Sequence, residues 1–126
     1  MRWMIHTIPH RQQRHRNVSD RVKRRDEIVE FRVSDIGDER MEALIAIHEI
    51  VEQTLCKSKG ISIDQIDIFD FSFTGDGEPG NHVDSPYRDQ HRVATTVEKI
   101  VAKKLGVNWN EYKRRVRTLR MKGVQI

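Results

Sequence analysis

Residues 43–56 read ALIAIHEIVEQTLC, an apolar run of about four helical turns into which one histidine and two glutamates are set. A run of this kind has to be buried. Ionisable groups inside it raise the free energy unless each finds a partner. Whatever fold the chain adopts must therefore bring other polar groups to His48 and Glu52.

A helical wheel sharpens the requirement. At about 100° per residue, Leu44, Ile47, Val51 and Leu55 share one side, while Glu42, Glu49, Gln53 and Lys57 lie on the more open side. Met41, Ile45, His48, Glu52 and Cys56 fill the border. His48, Glu52 and Cys56 are thus stacked one turn apart and can present several groups to a single point. Residues 85–105 repeat the arrangement: Tyr87, Ala94, Val97, Val101 and Leu105 form an apolar stripe with His91 and Glu98 on it or at its edge. If the two helices pack face to face, four donors converge. Imidazole nitrogen and carboxylate oxygen suit Zn2+, and also iron, nickel or manganese, so His48, Glu52, His91 and Glu98 are the expected metal ligands.

The rest of the chain sets the frame. Its 126 residues suit a single domain, with a third of them charged and an aliphatic core. Residues 1–25 hold eight Lys/Arg against Asp20 alone, and residues 113–126 hold six with no acid. Of the net +4, the ends therefore carry +7 and +6, and the centre −9. An acidic centre can hold cations, and basic ends can touch nucleic acid or an acidic protein partner. Cys56 stands alone and cannot form an internal disulfide; the opening MRWMIHTIPH lacks the apolar length of a signal peptide or membrane span. No membrane association and a reducing, cytoplasmic setting are expected.

RWMIHTI (2–8) and EIVEFRV (27–33) read as strands, the second with the alternation of a half-buried sheet. The basic stretch between them, about 9–26, reads as a long loop. A helix is expected from about Asp38 to Lys59, stopped by Gly60. ISIDQIDIFDF fits either a short helix or an extended segment. A further helix should begin at Ser85 as N-cap with Pro86 in its first position and end before Gly106; another should start at the NWNE capping box and run into the basic tail, about 113–126. The expected fold is α+β, with short antiparallel strands followed by about three helices.

HEIVE resembles the zincin metallopeptidase motif H-E-x-x-H, in which two histidines one turn apart bind zinc and the glutamate beside the first activates water. His48 matches the first ligand and Glu49 the general base; Glu52 stands where the second histidine would be. The resemblance implies a minimal zincin-like domain and a zinc-dependent hydrolase, with His91 or Glu98 as third ligand. Over nearly the whole chain, IPHRQQRH, RVSDIGD, HEIVEQTLC, FDF, EPG, SPY, His91 and LGVNWNEY together resemble a family of small uncharacterised phage and prophage proteins. That likeness implies a phage-derived protein in a bacterial cytoplasm and supplies no reaction. The alternative is a non-catalytic metal-binding protein that docks on nucleic acid or a protein through its basic ends.

Asp67, Asp70, Glu78, His82 and Asp84 are further candidates to support or join the site, since histidine ligands give their other nitrogen a carboxylate or carbonyl partner. Cys56 is another. TGDGEPG lacks phosphate-loop spacing, and the E-x-x-E of Glu49 and Glu52 has no matching E-x-x-D partner.

Overall fold

The computed structural model describes residues 2–75 and 77–122. Strand β1 (Arg2–Ile8), strand β2 (Ser19–Lys23) and strand β3 (Ile28–Ser34) form one sheet in the order β1-β3-β2. Helices α1 (Glu39–Ser58), α2 (Ile63–Ser72), α3 (Arg88–Lys104) and α4 (Trp109–Lys122) follow. The arrangement is α+β, but only β2 and β3 run antiparallel; β1 pairs with β3 in parallel, Trp3 opposite Val29 and Ile5 opposite Phe31. Among the described residues, no helix is long and apolar enough to cross a membrane.

β2 corrects the expectation of an unbroken loop over 9–26. It joins β3 through a tight turn closed by the Arg24 N–H donating to the Ile28 carbonyl at 2.7 Å, with Asp26 and Glu27 both in the left-handed region. Such a turn normally announces itself by Gly or Asn. Here neither is present. Once formed, the hairpin places Arg21 opposite Phe31, on the sheet face that also carries Val29 and Val33.

α1 begins where expected. The Asp38 side chain accepts from the Arg40 and Met41 N–H groups, and Gly60, at φ +74, follows the last turn. The segment of ambiguous pattern is a helix, α2, secured by a capping box between Ser62 and Gln65. α3 starts later than Ser85 and Pro86 suggest, with Tyr87 at its N-cap, because Ser85 is spent on a separate turn in which its hydroxyl accepts from the Tyr87 N–H. α4 takes in residues 113–122 of the basic tail; residues 123–126 lie outside those described.

The main core lies where the end of β3 meets α1, α3 and α4: Val33, Met41, Leu44, Ile45, Ala102, Tyr112 and Val116 are all buried there. α1 is turned relative to the wheel. Its buried face runs Met41, Leu44, Ile45, His48, Glu49, Glu52, Gln53 and Cys56, while Ile47, Val51 and Leu55 are only half-buried. Glu49 and Gln53, expected on the open side, are inside because β2 covers them and Arg21 reaches both. α3 is turned likewise: His91, Ala94, Glu98 and Ala102 are buried, and Leu105 is exposed.

Candidate metal centre

α1 and α3 bring three donor atoms to one point. His48 Nε2 lies 3.0 Å from Glu52 Oε2 and 3.2 Å from His91 Nδ1, and the latter two atoms are 2.7 Å apart. Ligands about 2.1 Å from an ion and a right angle apart sit about 3.0 Å from one another, so the spacing fits three positions around one cation. Among the described residues this is the group of His, Cys, Asp or Glu side chains that converges on a point an ion could occupy.

Both rings are pinned from behind. His48 Nδ1 is 2.8 Å from Glu98 Oε1, and His91 Nε2 is 3.0 Å from Glu78 Oε2. Carboxylates accept, so these two nitrogens carry the ring protons of the neutral imidazoles, and the lone pairs of the other two point toward Glu52. Three lone pairs within 3.2 Å of each other repel unless something positive stands between them. Protons can fill that role, and so can a metal ion.

Charge leads to the same place. Arg21 donates to Glu52 Oε1 and lies 3.5 Å from Glu49 Oε2, Lys113 Nζ is 3.1 Å from Glu78 Oε1, and the Tyr112 hydroxyl donates to Glu98. The linked network holds four carboxylates, Glu49, Glu52, Glu78 and Glu98, against two permanent cations. With neutral histidines it is two positive charges short, which two imidazole protons or one divalent ion would supply. Burial lowers proton affinity at both rings, but the bonds to Glu52 and Glu98 outweigh it and raise His48 well above the usual range. Glu52 and Glu78 likewise push His91 up to about 9. Glu52 itself is held far below a normal carboxylate; burial opposes this, and Arg21 and the histidines prevail.

Gly80 explains how His91 fits. A Cβ on Gly80 would meet His91 Nδ1 at 2.5 Å and Cγ at 2.6 Å, so only glycine lets the 3-10 turn at Pro79–Asn81 rest on the ring. The cavity around the triad measures about 70 Å³, several times the roughly 15 Å³ that one water needs. Glu49 and Asp70 also line it. The Ser19 hydroxyl donates to Glu49 Oε1 at 2.7 Å; Tyr87 donates to Asp70, whose carboxyl burial pushes up to about 6.

The remaining candidates separate cleanly. Glu98, expected as a ligand, instead sits behind His48, bonded to the nitrogen that faces away from the triad, where it is placed to orient that ring rather than to join the three converging atoms. Glu78 does the same for His91. Asp67 pairs with Arg14. His82 and Asp84 are exposed at the surface, where His82 packs beside Phe69 and Phe73. Cys56 is fully buried, with its thiol pushed up to about 11 by that burial, and stands outside the triad. Sequence reasoning missed Arg21, Tyr112, Ser19 and Gly80. Recognising SDRVK as the antiparallel partner of EIVEFRV would have found Ser19 and Arg21. Comparison of the chain with family models, curated proteins and solved structures found no match, so the function has to be argued from the site itself.

Proposed function

We propose that this protein is a metal-dependent hydrolase whose centre is His48 Nε2, His91 Nδ1 and Glu52 Oε2. The observation that carries the reading is the pinning of each histidine by its own carboxylate, Glu98 or Glu78, which is how proteins fix the tautomer and aim of metal-binding imidazoles. Two histidines and one glutamate form the ligand set of hydrolytic zinc sites that keep a position open; iron, nickel or manganese also accept it. A divalent ion would supply Lewis acidity, polarising a substrate oxygen and making water a nucleophile near neutral pH. The protein's own groups would do the rest. Glu49 lines the cavity and would take the proton from water, as the zincin-like pattern suggests. Arg21 would hold Glu52 ionised and fixed. The buried, unpaired Cys56 thiol suits the cytoplasmic setting expected from the sequence.

One observation favours a non-catalytic metal instead: Ser19 and Arg21 both engage Glu49, so its oxygens already have partners that it would have to leave to meet a water. The two readings part experimentally. Protein purified without chelator is expected to carry about one divalent ion per chain by mass spectrometry, and His48→Ala or His91→Ala should remove it. A stoichiometry near zero after supplementation with zinc, iron, nickel and manganese would end the proposal. Glu49→Gln should keep the metal and lower hydrolytic turnover by at least ~10²-fold; loss of metal in that variant would make Glu49 a ligand, and unchanged turnover would favour the structural reading.

A further inference from the structure

Beside the triad cavity lies a second hollow of about 310 Å³, and the two share Glu78, Lys113, Val116 and Arg120 in their walls. Its lining is basic. Lys113, Arg117 and Arg120 follow one another at i, i+4 and i+7 along one face of α4, and Arg16 faces them from the segment between β1 and β2. Among the described residues Glu78 is the one acid in the lining, and both its oxygens are engaged, by His91 and by Lys113. Arg16 and Arg117 have no carboxylate partner among the described residues. Arg120 is held in place by neutral groups, its Nε donating to Asn17 Oδ1 at 3.1 Å and its other arm to the Gly77 carbonyl. Burial, with Arg16 alongside, weakens its hold on its proton even though Glu78 opposes the change.

Three guanidinium groups around one hollow repel each other, and among the described residues the one lining carboxylate, Glu78, is already engaged by His91 and Lys113 and leaves Arg16 and Arg117 without an ion-pair partner. We infer that the hollow is the recognition site for a phosphate-bearing substrate of the neighbouring centre, a nucleotide or a nucleic-acid strand, with Arg16, Arg117 and Arg120 holding its phosphate oxygens. Guanidinium forks match phosphate oxygens in pairs. A phosphorylated molecule also brings its negative charge into a small volume, whereas an acidic peptide spreads one carboxylate per residue. The hollow is of the size that takes a small organic ligand. Lys113, bonded to Glu78 and thereby to His91, stands on the wall common to both cavities, so a phosphate group held in the hollow lies next to the triad. The inference rests on the metal-centre reading for what happens to the bound substrate, and on the basic hollow alone for what binds.

Fluorescence anisotropy of the full chain with a labelled eight-nucleotide single strand tests it, with a 5′-mononucleotide and a poly-glutamate peptide as competitors. Arg16→Glu with Arg117→Glu should weaken binding more than about tenfold. The same double variant should reduce the slope of log affinity against log salt by about 1.4, the value for two lost phosphate contacts. Lys103→Glu with Lys104→Glu makes the same change of net charge at the far end of α3 and should cost less than about threefold. Competition by the mononucleotide assigns the nucleotide as ligand; competition by unlabelled strand alone assigns the strand. Equal weakening in the two double variants, poly-glutamate competing as well as the strand, or no binding at low salt would overturn the inference. Metal content measured on the same preparations separates the two failures: metal-loaded protein that does not bind overturns the phosphate site, and metal-free protein that does bind overturns the metal centre.

Discussion

Along α1, Met41, Leu44 and Ile45 near its start and His48, Glu49, Glu52 and Gln53 further on are all buried, but they meet neighbours of opposite kinds. The first group packs on Val33, Ala102, Tyr112 and Val116. Removing such surface from water stabilises the fold by about 25 cal/mol per Å². The second group meets Arg21, His91 and Glu98, and there desolvation is offset only by pairing. Well-packed apolar side chains of similar volume often serve stability as well as a buried ion network does. A helix whose buried face is apolar for its first turns and ionisable for the next ones has therefore given half of that face to groups that stability alone does not call for.

The comparison can be broken by injuring each half in turn. Leu44→Ala in the apolar half and Arg21→Met against the polar half should each lower stability in the absence of metal by about 3–5 kcal/mol, the first by leaving a cavity and the second by stranding Glu49 and Glu52. Denaturant unfolding measures both. Added divalent metal should then rescue Arg21→Met more than Leu44→Ala, because a cation at Glu52 replaces the lost charge. Equal rescue would mean that the two halves are not distinct in kind.

A smaller effect should follow from Glu98→Gln, which keeps the shape behind His48 and removes the charge. Metal affinity is expected to fall about 10- to 100-fold, up to about 3 kcal/mol, with little change in metal-free stability. Titration with zinc and a competing chelator reads it. An unchanged affinity would reduce Glu98 to packing.

The smallest effect lies on β2, outside the triad. Burial alone would raise the Asp20 carboxyl, but bonds from Arg14 and His15 outweigh it and hold the group down to about 2. A lowered carboxylate stabilises the fold fully above its unfolded value, about 4, and that contribution is lost as pH falls from about 4 to 2. About 2 kcal/mol is involved. Asp20→Asn should flatten the acid limb of the stability curve, as measured by urea unfolding at each pH; an unaltered limb would show that Arg14 does not hold Asp20 in solution.

How much of this could be read beforehand depended on whether a residue's partner was local. α1 was legible at both ends because Asp38 and Gly60 act on adjacent backbone. The pairing of His48 and Glu52, and the presence of a second histidine and carboxylate on α3, followed from helical spacing alone. α2 stayed ambiguous because Ile and Asp alternate through IDQIDI, although Ser62 and Gln65 already had capping-box spacing. The buried faces of α1 and α3 were misplaced because a wheel ranks side chains by hydrophobicity and cannot know that Arg21 draws Glu49 inward. Arg21 in turn was hidden by a hairpin turn, Arg25-Asp26-Glu27, that holds left-handed backbone without glycine. Tyr112 and Gly80 reach the centre from other elements and share no periodicity with it.

The dispersal of the centre along the chain governs when it comes into being. Glu52 is separated from His91 by 39 positions and His48 from Glu98 by 50, while Arg21 lies upstream of all of them and Tyr112 downstream. A chain growing from the ribosome offers His48 and Glu52 long before His91 exists, and two donors on an unfinished helix hold an ion weakly. Only after α4 has emerged and docked does the Tyr112 hydroxyl fix Glu98, and through it His48. If the centre holds a metal as proposed, ion capture would thus come last in the life of the nascent chain and fall to the finished fold, after the loops that join these distant residues have closed.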